Sequence, residues 1–370
     1  MARVIALALC FSSGCVVIDP QASTKPQAPP GAYAELKAAG ERWPIAGILH
    51  SERREGAPID DWSAVWEFPT RKVTRLLPEK SAMADSQWPI RLYHVAYNEE
   101  HRCLVGVEST LYTPPKGGTY CADVWLRSLG DGKAAWVARH RWRSIGAMAW
   151  SPDGRRVAFM ATPEEVTGNR RRAQVCIYDT QSLALKVPAD DGGLIEDAPE
   201  RNHAPAWSPD GRFLYYASFD YRAMRLNLET GKTERLPMTA SSVLVAREQW
   251  LVYTHEKVGA PPGQGRFTIR KCRLDAGDET QAVDLYKANW LWLALVSPSG
   301  RFVYFKDKTH YLGGYEGLLD IETGKVDTGV EGGAPEMFTP MSTAYTASGQ
   351  GIVAPSHPTD REEGAIGGHP

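Results

Sequence analysis

The pentapeptide Trp-Ser-Pro-Asp-Gly occurs twice, at residues 150–154 and 207–211, and Val-Ser-Pro-Ser-Gly at residues 296–300 repeats its outline. Pro at the second and Gly at the fourth position of Ser-Pro-Asp-Gly suit a type I turn, and the Ser and Asp oxygens can cap its backbone amides. An apolar residue follows each anchor at the same distance (Val157, Leu214, Val303), within a run that alternates apolar and polar as a half-buried strand does. Each copy therefore predicts a β-hairpin. Weaker copies start at Tyr97, Val245 and Tyr345, so the anchors fall at 97, 150, 207, 245, 296 and 345. A second hairpin signal, apolar strand then a turn such as Glu-Thr-Gly-Lys then strand, also occurs six times, beginning with the stretch from Val65 to Pro78.

Four short strands per unit, repeated at about 50 residues, is the pattern of a β-propeller. The second hairpin of the first unit precedes the first anchor, and the last anchor lacks one. This offset predicts an all-β, six-bladed propeller with four antiparallel strands per blade. Closure is expected from N- and C-terminal hairpins, near Trp66 and Tyr345, sharing one blade, which would leave no open sheet edge. The Trp, Ser, Pro, Asp and Gly of the turn are read as structural, so Asp153 and Asp210 are not candidate acids.

The repeated Trp-Ser-Pro-Asp-Gly followed by an apolar strand, and then Leu-Asn-Leu-Glu-Thr-Gly-Lys one hairpin later, resembles the TolB-like six-bladed propeller family. That family includes periplasmic propellers of the TolB type and the propeller domains of prolyl oligopeptidase-like peptidases. The resemblance covers roughly residues 62–355, and it implies a bridging role between envelope proteins. Residues 16–61 are too few for the separate N-terminal α/β domain of TolB, which puts a TolB-specific set of partners in doubt. No Gly-x-Ser-x-Gly elbow occurs in the chain, so the peptidase chemistry of those relatives is not expected.

The remaining sequence sets the context. Residues 1–15 read as a signal peptide, with an apolar run from Val4 to Phe11, and Ser-Ser-Gly-Cys resembles a bacterial lipoprotein signal with Cys15 as the lipidated residue. A plain cleaved signal is the alternative, and either exports the protein to the periplasm or, as a lipoprotein, to the outer membrane. Residues 16–61 read as a Pro-rich tether followed by a short helix over 32–43, and residues 356–370 as a flexible tail. A formal net charge of -2, from 42 basic and 44 acidic side chains, gives no general reason to bind nucleic acid or an anionic bilayer. Cys103, Cys121, Cys176 and Cys272 match neither a metal motif nor a dense disulfide framework, and their pairing is left open.

Chemistry has to come from a surface. Turns of the two hairpin types share one side of a propeller, so the longer connections share the other, which is the better candidate for binding. Two of these connections are basic: Arg139, His140, Arg141 and Arg143 in one, and Arg170, Arg171 and Arg172 in the next. Their guanidinium groups suit carboxylates or phosphates. The plain alternative is a solvated loop neutralised by Asp190, Asp191, Glu196, Asp197 and Glu200. Trp142, Trp290 and Trp292 are candidate aromatic anchors, or else wedges between blades. The leading expectation is a monomeric, non-catalytic scaffold that uses no cofactor or metal and recognises an envelope protein or polymer. The competing ones are a channel-centred enzyme acting on glycans or lactones, with scattered histidines holding a metal, and an assembly subunit with a large apolar patch.

Overall fold

The structure, a computed structural model, describes residues 31–50, 61–70, 72–76, 91–112, 119–163, 172–192, 204–247, 249–257, 265–276, 278–288, 291–310, 313–328 and 338–343. Helix α1 (Ala32–Ala39) ends on Gly40 in the left-handed conformation, whose amide donates to the Lys37 carbonyl. Strands β1 (Trp43–His50), β2 (Asp61–Phe68) and β3 (Val73–Arg75) follow. Next come β4 (Arg91–Asn98), β5 (Cys103–Tyr112), β6 (Thr119–Ser128), β7 (Ala134–Trp150), β8 (Arg156–Pro163), β9 (Ala173–Asp179) and β10 (Ala184–Gly192). Then follow β11 (Ala206–Trp207), β12 (Phe213–Ala217), β13 (Arg222–Asn227) and β14 (Thr233–Thr239), and after them β15 (Ser242–Arg247), β16 (Trp250–Glu256), β17 (Phe267–Arg273) and β18 (Val283–Ala288). The last are β19 (Leu291–Val296), β20 (Phe302–His310), β21 (Gly313–Asp320), β22 (Val326–Thr328) and β23 (Phe338–Thr343).

These strands form five antiparallel sheets: β23-β1-β2-β3, a seven-stranded sheet from β4 to β10 in chain order, and three four-stranded sheets, β11 to β14, β15 to β18 and β19 to β22. In the seven-stranded sheet, β7 pairs with β6 through Ala134–Trp142 and with β8 through Trp142–Trp150. One strand thus ends one group of four and starts the next. First strands of successive groups are neighbours: β23 and β4, β4 and β7, β7 and β11, β11 and β15, β15 and β19, β19 and β23.

The repeated turns fold as their residues dictate. In the first, the Arg156 amide donates to Ser151 Oγ (2.9 Å) and the Arg155 amide to Asp153 Oδ1 (3.1 Å), with Gly154 at φ 66°. Ser208, Asp210 and Gly211 repeat this geometry, and the Ser208 hydroxyl, with the Arg212 contacts, holds the Asp210 carboxyl down at about 2. Neighbouring turns are also tied together. Asn98 Nδ2 donates to the Gly154 carbonyl (2.8 Å), Arg156 Nη2 to the Gly211 carbonyl (3.3 Å), and the buried Trp207 indole to the Ala149 carbonyl (3.0 Å). In the third turn Ser299 stands where the others have Asp. Its hydroxyl takes over the cap, accepting from the Arg301 amide (3.1 Å), and a carboxylate reaches the turn from outside, where Glu41 accepts from the Ser299 amide (2.7 Å) and hydroxyl (2.8 Å).

That contact belongs to an N-terminal strap. Ala32 and Leu36 of α1 are buried, Glu35 pairs with Lys325 (2.8 Å) and Arg301 (3.4 Å), and the Tyr33 amide donates to Asp327 (2.6 Å). At the other end of the strap, Arg42 bridges Glu67 (2.9 Å) and Glu99 (2.6 Å). The strap therefore leaves the β19–β22 sheet, enters the β1–β3 sheet as β1, and touches the β4–β5 turn.

Three expectations are corrected. The short helix stops at Ala39, and the stretch assigned to tether and helix contains β1, so strands begin at Trp43 rather than after residue 61. The sheet shared by the two chain ends takes one C-terminal strand, β23, and three N-terminal ones, in place of two hairpins. The segments around Tyr345 and Ile352 lie outside the described residues, as do residues 1–30 with Cys15. The third correction concerns residues 139–143, which are strand and not loop.

Candidate functional site

The basic segment lies in the middle of β7, at the end away from the β6–β7 turn. Val124 pairs with Ala138 and Ala122 with Trp142, so Asp123 alone opposes Arg139, His140 and Arg141. Such a bulge re-aims the side chains it carries. Asp123 is fully buried, and a buried carboxylate is costly unless cationic or hydrogen-bonding groups meet it. Arg139, Arg141 and Arg143 are exposed and alternate with the strand period, while Trp142 between them is fully buried. The Arg139 guanidinium sits 4.5 Å from the Trp136 ring and that of Arg141 5.2 Å from Trp142, which holds each head group against an indole.

Trp142 donates to Gln174 Oε1 (3.1 Å) and packs edge-on against Phe159 at 5.5 Å, so it is a core wedge and not an anchor for a partner. Exposed Arg172 enters β9 on the same side of the sheet's length as this bulge, 4.3 Å from the Phe219 ring. Arg170, Arg171, Trp290, Glu196, Asp197 and Glu200 lie outside the described residues, and the side chains of His140 and Trp292 are likewise outside them. Of the acidic neighbours expected to neutralise the arginines, Asp191 is engaged elsewhere: it accepts from the Tyr216 hydroxyl (2.7 Å).

Nearer the first strands the surroundings are apolar. Ala147, Ala149, Ala204 and Leu295 are buried in one cluster with Trp43, Trp66 and Trp207. His94 of β4 is buried against β7, and burial pulls its imidazole down to about 4, partly opposed by a hydrogen bond with the Ile145 backbone. Among the described residues no group of three His, Cys, Asp or Glu is placed to hold a metal ion. Cys103, Cys176 and Cys272 are buried free thiols, and burial pushes Cys103 and Cys176 up to about 12, far from a reactive thiolate. The polar cluster of Glu279 with Arg270 (2.8 Å), Thr239 and His255 (3.5 Å) braces β14 against β17.

One feature carried no sequence motif: a groove between the β15–β18 sheet and the β21–β22 turn, lined by Trp250, Lys271 and Arg247. Its only signal is a tryptophan immediately after the turn in Ala-Arg-Glu-Gln-Trp, at a position where a polar residue would be expected.

No protein-family model matches the chain. Among solved structures it is similar to a protein assigned as TolB from Agrobacterium tumefaciens, at 13% identity and a TM-score of 0.51, over 86% of this chain and 100% of the other. The β-propeller domain of the Trilobed protease from Pyrococcus furiosus matches at 11% identity and TM-score 0.43, over 70% and 75% of the two chains. An oligogalacturonate lyase from Vibrio parahaemolyticus matches at 12% and 0.42, over 77% and 72%. At 13% identity the likeness to the Agrobacterium protein speaks to fold alone: the chain has a TolB-like β-propeller fold.

Proposed function

We propose that this chain is the propeller of an exported bacterial envelope protein, with six four-stranded blades in a closed ring, and that it binds an acidic protein or polymer without catalysis. The neighbour relations among the first strands and the double use of β7 support six blades. The observation that carries the binding reading is the row of exposed Arg139, Arg141 and Arg143 raised on a bulge over buried Trp142, with Arg172 at the same end of the next strands. Arg139 and Arg141, each held against an indole, lose little further freedom when they meet carboxylates. The apolar filling around Ala147, Ala149 and Leu295 supports this reading over a channel-centred enzyme. On this reading Arg170, Arg171 and His140 extend the same surface, and Cys15 carries a lipid that keeps the protein at the outer membrane.

The test is retention of the purified protein on immobilised poly-glutamate. The variant Arg139→Ala/Arg141→Ala/Arg172→Ala is expected to elute at clearly lower salt with a melting temperature nearly unchanged. Unchanged elution, or a parallel collapse of the melting temperature, sinks the reading. Hydrolysis of an acidic glycan or a lactone by the same preparation would favour the enzyme instead.

A further inference from the structure

The groove between the β15–β18 sheet and the β21–β22 turn has the makings of a ligand site at the opposite end of the strands from the β7 bulge. Val252 lies directly opposite Lys271, and Lys271 directly opposite Val283, so all three project from one sheet face. Trp250, two residues before Val252, shares it. Trp250 (38% exposed) and Val283 (48%) are two of the three exposed large hydrophobic residues among those described. The cavity, about 200 Å³, is walled by Val245, Val252 and Trp250 on the sheet side and by Ile321 and Glu322 of the turn.

The charges in it are held in place. Lys271 Nζ donates to the Ile321 carbonyl (2.8 Å) and lies 5.5 Å from the Trp250 ring, which leaves two of its three N–H donors for other partners. The Arg247 guanidinium stands 3.7 Å from Glu322, and Glu322 is shared with Arg301 at 3.4 Å. The lining therefore offers two cations against one carboxylate that a third cation also draws upon. An ammonium already over the indole disfavours a cationic ligand and leaves room for an anionic one.

We propose that this groove binds a small aliphatic group bearing a carboxylate, with the branched side chain against Trp250, Val252 and Ile321 and the carboxylate between Arg247 and Lys271. The volume suits one leucine-sized residue, so the chemistry is met by the free C-terminal residue of a peptide or by a short branched aliphatic acid. An internal peptide residue brings no charge and leaves both cations without it. The site is independent of the arginine surface on β7.

The intact protein is titrated calorimetrically with acetyl-Gly-Gly-Leu, with its C-terminal amide and with 4-methylpentanoate. The free-acid peptide is expected to bind with a Kd of about 1 mM or tighter, and the amide at least ten-fold more weakly. A peptide that binds more tightly than 4-methylpentanoate identifies a chain terminus as the ligand, and equal binding identifies a small acid. Arg247→Gln and Lys271→Met are each expected to weaken binding about ten-fold, and Trp250→Phe to remove the accompanying change in indole fluorescence. Melting temperatures confirm that each variant is folded, and Arg247, half-buried at its turn, provides the variant least able to disturb the core. Equal binding of acid and amide, indifference to Arg247→Gln, or no saturable binding by either acid up to about 10 mM overturns the proposal.

Discussion

The third repeated turn lacks its own carboxylate, and its Ser299 is held by Glu41 of the strap, so exchanging the two carboxylate positions is a direct probe of the strap. Glu41→Ala deletes two charge-assisted hydrogen bonds to Ser299. Each would be worth about 1.5–3 kcal/mol in the interior, but Ser299 is exposed, and the pair together is worth about 1 kcal/mol. Ser299→Asp alone rebuilds the cap seen at Asp153 and Asp210 while placing a second carboxylate against Glu41. Two such charges about 4 Å apart repel by roughly 1 kcal/mol near water, so this single change also destabilises. Together the changes restore the geometry of the first two turns, and the double variant is expected within about 0.5 kcal/mol of the parent, a coupling of about 2 kcal/mol. Urea unfolding followed by indole fluorescence reads this as a midpoint lowered by about 0.3 M in each single variant and recovered in the double. Simple additivity of the two losses would refute the account of Glu41 as the strap's hold on the third turn.

Two other substitutions test the interior. Between pH 6.5 and about 4 the unfolded chain binds a proton that buried His94 refuses. Stability is therefore complete above that window and falls as pH drops through it, by on the order of 3 kcal/mol. His94→Gln is expected to flatten this stretch of the urea-midpoint against pH curve, and an unaltered slope refutes the assignment. Gly106→Ala would place its Cβ 2.1 Å from Trp125 Cζ2, with Trp125 fully packed, and is expected to cost about 3 kcal/mol in urea unfolding. A neutral result would mean the indole is free to move.

Legibility followed the turns. Ser-Pro-Asp-Gly and Glu-Thr-Gly-Lys mark junctions with residues that few other structures need, and hairpins stand at each described junction predicted from them. Strand β1 escaped because its sheet partner β23 comes from the far end of the chain: no turn joins first strand to second there, so nothing punctuates Trp43–His50. The charge run at residues 139–143 reads as loop, as charge runs generally do. The strand period was present in them, however, with arginines on one side and Trp142 on the other. A bulge opposite Asp123 cannot be inferred from one chain segment, since it is a mismatch in length between two. The Trp250 groove depends on residues that are far apart in sequence, Lys271 and Glu322 among them, and only packing brings these together.

Strand β7 runs 17 residues without a break and is the last member of one four-stranded group and the first of the next. Elsewhere among the described residues, successive groups meet through connecting segments and side chains, which can slide or tilt, apart from one isolated backbone bridge between Gly192 and Ser218. Here they are welded by backbone, so any flexing of the assembly has to be absorbed at the other joints. The arginine row sits on the weld itself: whatever docks there meets a joint made of continuous backbone, and pulls on two four-stranded groups at once.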